Sequence, residues 1–350
     1  MNVLLMTDKL ITGGAENYFC KLENMLTHPE IEFYTAAGSG ELFETINNKE
    51  QFIHLSRNNH VANLSIIRRN VLEHKIDLVH ANSLRMVLYA VALQKILKKK
   101  MKIIYTKHNV TMLEKGYRFA FARLLNRHVH RIITVSEDER ENLLQLGIQA
   151  DKITTVYNGV DIDQFMYHKK EQRETFKVGI LARLSPEKNH DLFLEIAKKL
   201  NYDPNIQFYI GGEGPEYTKI LQMIKKSGLT QRVKMLGDIK EPVDFIREMD
   251  VLLLTSHREV FPMVILEAMA VGTPIISVSA GGIKEAISSP DLGFLVPDYS
   301  VESFCNHITW MKDHQELRKE ISEAARDRVQ KNFTLEKMIS ETMREYLVER

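Results

Sequence analysis

Short apolar runs alternate with amphipathic segments along the whole chain, in two rounds, and this alternation restricts the fold more than any other feature. In the first round strand-like runs stand at residues 2–7, 32–36, 51–55, 77–80, 102–106, 131–135 and 153–156. In the second they stand at 176–181, 206–210, 232–236, 251–255, 274–278 and 293–296. Strands separated by helices pair in parallel, so each round predicts an α/β domain with a doubly wound, Rossmann-like sheet. A chain of 350 residues also exceeds the roughly 250–300 at which one core stops growing. The polar stretch from Asp161 to Thr175 lacks apolar periodicity, so the boundary is placed near residue 170, giving domains 1–170 and 171–350. From Val301 onward the pattern is helical, with an interruption expected over 327–333, a last helix from about Thr334, and packing of that helix back onto the first domain left open. Ligands of such sheets bind beyond the carboxyl ends of the strands, so two facing domains imply a cleft lined by the loops that follow strands.

Composition mainly excludes. Hydrophobic residues at 44% and charged residues at 27% are ordinary for a globular protein and rule out wholesale disorder. Cys20 and Cys305 form no C-x-x-C pair, and a reducing, cytoplasmic setting is expected. The opening MNVLLMTDKL lacks a basic leader region, and no run reaches the roughly 18 apolar residues of a spanning helix. The net charge of +1 hides an asymmetry. Residues 85–131 carry 12 Lys and Arg against one acid, Glu114. Nucleic acid is disfavoured as the reason in the absence of any known binding module. A solvated basic face, an anionic polymer or an anionic membrane surface each account for the cluster.

The post-strand loops hold the chemistry. Thr12-Gly13-Gly14-Ala15-Glu16 opens a helix, where backbone N–H groups can approach an anion, although a tight turn alone explains the glycines. In Leu181-Ala182-Arg183-Leu184-Ser185-Pro186-Glu187-Lys188-Asn189 two cations before a helix suit a diphosphate, and two solvated surface cations explain them equally well. Gly211-Gly212-Glu213-Gly214-Pro215 permits close approach of a ligand but is also common turn chemistry. Glu259 and Glu267 bracket the start of a helix near Pro262, where carboxylates would accept hydrogen bonds from hydroxyl groups. Complementing the helix dipole is the plain alternative for Glu259, whereas the apolar neighbours of Glu267 argue against simple solvation. His108 follows the strand 102–106, the position of a cleft residue. No spacing argues for a metal, and no strand is followed by the G-x-G-x-x-G of a nicotinamide enzyme.

Taken in order, these segments resemble the retaining nucleotide-sugar glycosyltransferases of GT-B fold, family 4 (glycosyl transferases group 1). The G-G-A-E, Asn158-Gly159-Val160-Asp161, A-R-L-S-P-E-K-N, G-G-E-G-P, Glu-x7-Glu with E-A-M-A-x-G-x-P, Ala280-Gly281-Gly282 and Gly293-Phe294-Leu295-Val296 segments all carry the likeness, which spans nearly the whole chain. The resemblance implies two Rossmann-like domains facing a cleft, the first for the acceptor and the second for the donor. It implies Arg183 and Lys188 at the donor diphosphate, Glu267 at the ribose, Glu259 at a sugar hydroxyl with the backbone of Phe261 close by, and Ile239 at the base. His108 would sit at the transferred sugar and the backbone of Gly14 at the phosphates, making His108 and Glu259 the catalytic pair. It implies no metal and no cofactor beyond the nucleotide-sugar, UDP-linked on family frequency, with a saccharide, lipid-linked or polymer acceptor. Three departures stand out: Val260, Ala182 and Lys284 replace a usual glycine, a usual glycine and a frequent proline.

Overall fold

The alternation resolves into two parallel sheets. The structure, a computed structural model, describes residues 1–348 apart from 168 and 170–173. Residue 170, where the sequence places the domain boundary, lies outside the described residues. The first sheet contains β1 (Asn2–Met6), β2 (Glu32–Gly38), β3 (Phe52–Leu55), β4 (Leu78–Ala81), β5 (Lys102–Lys107), β6 (Arg131–Thr134) and β7 (Ile153–Thr155), in the order β3-β2-β1-β4-β5-β6-β7. The second contains β8 (Phe176–Leu181), β9 (Ile206–Gly211), β10 (Val233–Gly237), β11 (Val251–Leu254), β12 (Ile275–Val278) and β13 (Phe294–Val296), in the order β10-β9-β8-β11-β12-β13. Each pairing is parallel. Helices on both faces bury the central strands, and every residue of β4, β11 and β12 is buried.

By contacts the chain forms two units, Met1–Asn158 with the chain from Lys337 onward, and Gly159–Glu336. The crossing falls before the polar stretch because Val160, just ahead of it, and Phe165, within it, are buried in the second unit. Val160 N–H donates to Phe333 C=O, and Leu335 N–H to Val160 C=O, both at 2.9 Å, tying the outgoing and returning strands together. The returning helix Leu335–Leu347 packs on the first unit through Tyr346, which is fully buried and whose hydroxyl lies 2.5 Å from His80 Nδ1. The preceding helix runs unbroken from Gln315 to Asn332, so the interruption expected over 327–333 is a correction. Ile321, Ala325 and Val329 form one buried stripe that carries the helix through, and it ends only at Phe333.

Periodicity alone would run one helix over residues 114–130, with Tyr117, Phe121, Leu124, Leu125 and Val129 sharing one side, and the basic segment departs from it. Helices Met112–Gly116 and Arg118–His128 replace it, with a break at Tyr117. Thr111 and Glu114 form a reciprocal capping box that starts the first helix, which ends at Gly116. Tyr117 is 71% exposed instead of sharing the buried side of Phe121, Leu125 and Val129. Among the described residues no helix is long and apolar enough to cross a membrane.

Glu114, the single acid of residues 85–131, points inward. It lies 3.1 Å from Lys107 Nζ, and Glu139 lies 2.5 Å from the same nitrogen, with side-chain exposures of 0% for Lys107, 5% for Glu114 and 4% for Glu139. Asn142 Nδ2 donates to Glu114 at 3.0 Å and to Glu139 at 2.9 Å, completing the cluster. Two buried carboxylates share one cation, so the lysine is indispensable. Lys107→Met is expected to lower unfolding free energy by about 3–5 kcal/mol, as removal of one partner from a buried ion pair does. Urea denaturation measures this, and a loss below about 1 kcal/mol would show that the carboxylates relax into water.

Candidate active site

In each sheet the strand order reverses once, between β1 and β4 in the first and between β8 and β11 in the second. Loops leaving the two strands at such a point turn to opposite faces of the sheet and open a crevice beyond its carboxyl edge. Of the residues singled out from sequence, Gly14, Arg183, Lys188, Glu259, Phe261 and Glu267 lie on chain leaving these reversal strands, whereas His108 follows β5 and Ile239 follows the edge strand β10.

In the second unit, the chain leaves β8 through exposed Arg183 and buried Ser185 into a single turn, Pro186–Lys188. Asn189 takes a left-handed conformation, φ 53°, and caps helix His190–Lys199 by accepting from Leu192 N–H at 3.4 Å. The neighbouring strand β11 leads into Thr255, Ser256 and His257. Two hydrogen bonds join the loops: Thr255 Oγ1 donates to Lys188 C=O at 2.9 Å, and His257 N–H donates to Glu187 C=O at 2.8 Å. Their side chains then meet. Lys188 Nζ lies 2.6 Å from Glu259 Oε1, and Ser256 Oγ donates to the same oxygen at 2.7 Å. Glu259 is only 10% exposed and Lys188 24%, so the pair is more sheltered from solvent than an ordinary surface ion pair.

The remaining donor-side residues surround this pair in sequence and fold. Helix Met263–Val271 carries Glu267, half-buried, while Phe261 ahead of it is buried, its ring 5.4 Å from that of Phe333. Val260 C=O accepts from Gly282 N–H at 2.9 Å, fastening the loop after β12 to the one after β11. Ile239, after β10, packs over Gly211: a Cβ on that glycine would lie 2.8 Å from Ile239 Cγ1. The glycines at 212 and 214 have a structural reason of their own. Their φ values are 128° and 158°, and an added Cβ would strike the carbonyl groups of Ala182 and Leu184. That loop is therefore the backing on which the Arg183 loop rests.

Gly14 and His108 belong to the first unit. Gly14 begins helix Gly14–Met25 and is exposed, and a Cβ there would meet nothing within 4 Å. His108 follows β5, half-buried, its ring 4.5 Å from that of Tyr18 in an edge-on contact. Asn82, directly after β4, is not among the residues the sequence marks, although it holds the same post-strand position as His108. Its side chain joins the Gly14 helix to His108, through Ala15 C=O and His108 Nε2, each at 2.9 Å. Burial first, then the proximity of His80 and Lys107, holds the His108 pKa down to about 3. Ser256 likewise carries no sequence signal, having no pattern except its distance to Glu259.

Residues 161–328 match the family described as glycosyl transferases group 1, and residues 12–164 match glycosyltransferase family 4. The chain belongs to the family 4 glycosyltransferases. It is 25% identical over 280 residues to N-acetyl-alpha-D-glucosaminyl L-malate synthase of Bacillus anthracis, covering 76% of this chain and 73% of that protein. It is 26% identical over 262 residues to the phosphatidylinositol N-acetylglucosaminyltransferase gpi3 subunit of Schizosaccharomyces pombe, covering 71% of this chain and 57% of that protein, little more than half the relative's length. Among solved structures, Anabaena HepE in complex with UDP-glucose is similar with a TM-score of 0.84 at 21% identity over 100% of both chains. Sucrose-phosphate synthase from Thermosynechococcus elongatus gives 0.83 at 17% identity, covering 99% of this chain and 98% of that one. The fold of this glycosyltransferase is GT-B.

The two glycine loops separate in a stability measurement. Gly214→Ala forces a side chain into a positive-φ position against backbone and is expected to cost more than about 1 kcal/mol. Gly14→Ala enters open space at a helix start and is expected to change stability by less than about 1 kcal/mol in either direction. Thermal unfolding of both variants checks this, and equal destabilisation would contradict it.

Proposed function

We propose that this glycosyltransferase takes its sugar from a UDP-linked donor held by the second unit. It transfers the sugar, with retention at the anomeric carbon, to a lipid-linked or polymer glycan acceptor taken by the first. The observation that carries the reading is the Lys188–Glu259 pair, 2.6 Å long, at the strand reversal of the second sheet. Relatives named for transfer of N-acetylglucosamine, and a fold neighbour in complex with UDP-glucose, support a UDP-hexose or UDP-N-acetylhexosamine.

In this reading the bond from the anomeric carbon to the β-phosphate oxygen breaks and its electron pair stays on the departing diphosphate. Arg183 and Lys188 meet that growing charge with fixed cations, the task a divalent ion performs in other transferases, so no metal or other cofactor is invoked. Glu267 takes the ribose hydroxyls and Glu259 a hydroxyl of the sugar, with the backbone of Phe261 beside it. Ile239 lies along the base. The backbone at Gly14 attends the phosphates and His108 the transferred sugar. The acceptor hydroxyl attacks on the face from which the diphosphate leaves.

Glu259 has a second task in this scheme, because it neutralises Lys188 before any donor arrives. Glu259→Gln is therefore expected to leave UDP affinity unchanged or tighter while transfer falls, and Glu267→Gln to weaken UDP affinity. Lys188→Ala and Arg183→Ala are expected to lower donor cleavage by about 10²- to 10³-fold, the loss typical of one preorganised partner at a developing anion. Calorimetry with UDP and a panel of nucleotide-sugars tests the scheme; equal loss of UDP affinity in both glutamate variants, or turnover undiminished in the cation variants, would overturn it.

For the acceptor side we propose peripheral attachment to the cytoplasmic face of a membrane through residues 85–131. Lys115, Arg118, Arg123 and Arg127 are exposed, and Met112, Tyr117 and Phe119 stand among them at 91%, 71% and 79% exposure. Apolar and aromatic side chains among cations suit an interface of acyl chains and anionic headgroups, where each cation adds about 1 kcal/mol. A purely anionic polymer would make no use of the apolar trio. Sedimentation with phosphatidylserine vesicles at low salt is expected to capture the protein, less well after Tyr117→Ser with Phe119→Ser. Capture unaffected by that double change would favour the polymer.

A further inference from the structure

Asn82 holds the buried end of the first unit's crevice. It is 5% exposed, and its backbone N–H donates to Met6 C=O at 2.8 Å, which fixes the residue at the ends of β1 and β4. Its two side-chain atoms have different partners. One lies 2.9 Å from Ala15 C=O and the other 2.9 Å from His108 Nε2. A carbonyl can only accept, so the amide nitrogen must face Ala15. Asn82 Oδ1 then faces His108, and because that oxygen can only accept, His108 Nε2 must carry the proton.

We propose that Asn82 is a positioning residue that holds His108 as the neutral Nε2–H tautomer, leaving Nδ1 as the only hydrogen-bond acceptor of the ring. The consequence for catalysis rests on the glycosyl-transfer reading above; the placement of the proton rests on the first unit alone. Every element packed against His108 agrees with an uncharged ring. Helix Gly14–Met25 contributes the uncharged Tyr18, in edge-on contact at 4.5 Å. β4 contributes His80, whose nitrogens lie 2.5 Å from Tyr346 Oη and 2.6 Å from Thr106 Oγ1, and which burial holds neutral with a pKa of about 3. β5 contributes Lys107, a cation that disfavours a second positive charge beside it, although Glu114 and Glu139 compensate it.

A neutral ring with its lone pair on Nδ1 has a use in sugar transfer. As the bond to the diphosphate lengthens, the sugar becomes positive, and an imidazolium next to it would raise the barrier. A neutral imidazole avoids that repulsion and can accept a hydrogen bond from a sugar hydroxyl. The carbonyl of Ala15, at the start of the Gly14 helix, thereby fixes through one amide which atom the histidine offers to a sugar.

The experiment is long-range ¹H–¹⁵N correlation on full-length protein labelled at histidine, with the His108 signals assigned by their loss in His108→Gln. The wild type is expected to show His108 as a single neutral Nε2–H tautomer at pH 7 and to remain uncharged at pH 5. Asn82→Asp places a carboxylate at Nε2, so the titration midpoint is expected to rise by a unit or more. Asn82→Ala keeps the charge but removes the acceptor, and is expected to mix the tautomers. In both variants kcat is expected to fall on the order of 10²-fold, as for a misplaced group, with donor KM within about threefold. An Nδ1–H tautomer or an imidazolium at pH 7 in the wild type would overturn the proposal. So would an unmoved titration in Asn82→Asp together with unmixed tautomers in Asn82→Ala. If no nucleotide-sugar is turned over by the wild type, the transfer reading fails, while the spectra still decide the role of Asn82.

Discussion

Everything that positions chemistry in this protein follows from the parallel direction of its strands. A parallel sheet sends all its strand-to-helix loops to one edge, and it aims the first turns of the following helices, with their unpaired N–H groups, at that edge. Where strand order reverses, neighbouring loops part, and backbone that would otherwise cover the edge withdraws. In both units a polar side chain reaches across the reversal. In the second unit Lys188 meets Glu259; in the first, Asn82 reaches from β4 to the helix that follows β1. The likeness is one of topology, for the two crevices share no residue pattern.

Electrostatics divides these groups into those kept charged and those kept neutral. Lys188 sits beside a carboxylate that is itself held by Ser256, so the two opposite charges offset each other in a fixed arrangement. His80 and His108 are held neutral by burial. Lys107 lies between these regimes, a fully buried cation at the end of β5, and its two carboxylates belong to helices Met112–Gly116 and Glu137–Gln145. One of them removes the only acid from the basic segment's outer face. Lys107, one of the twelve cations, is buried with it, and Arg85 and Arg131 pair with Asp8 and Glu345, so the outer face rests on exposed cations such as Lys115, Arg118, Arg123 and Arg127.

The strands were legible because a parallel strand buried on both faces is a short run of apolar residues, and each such run became a strand. Breaks were less legible, since they depend on partners distant in sequence. Tyr117 fits the apolar periodicity of its neighbours, yet the capping box of Thr111 and Glu114 starts a separate short helix that ends at Gly116. The join between the units was misplaced because the partner of Val160, an isolated bridge at Thr334, is far along the chain. Among candidate site residues, Arg183, Lys188, Glu259 and Glu267 stand out by charge after a strand. Asn82 does not, because an amide has no periodicity and acquires meaning only from the carbonyl and the ring on either side of it.

The departures from the family pattern bear on what the site can accept. Glycine is required where φ is positive, as at Gly212 and Gly214. Among the described residues the non-glycine positions with positive φ are Lys75, Lys98 and Asn189, so neither Ala182 nor Val260 occupies a conformation that calls for glycine. Replacing a usual glycine at those two positions therefore costs no backbone strain, and the Gly282 N–H still reaches the Val260 carbonyl. What changes is volume. Val260 adds a branched side chain next to Glu259, on the loop that the resemblance brings to the donor sugar, and a β-branched group is held stiffly by its own backbone. Under the proposed donor-site reading, residue 260 would therefore act on the shape presented to the sugar without backbone strain, a place where donor choice would vary while the fold does not.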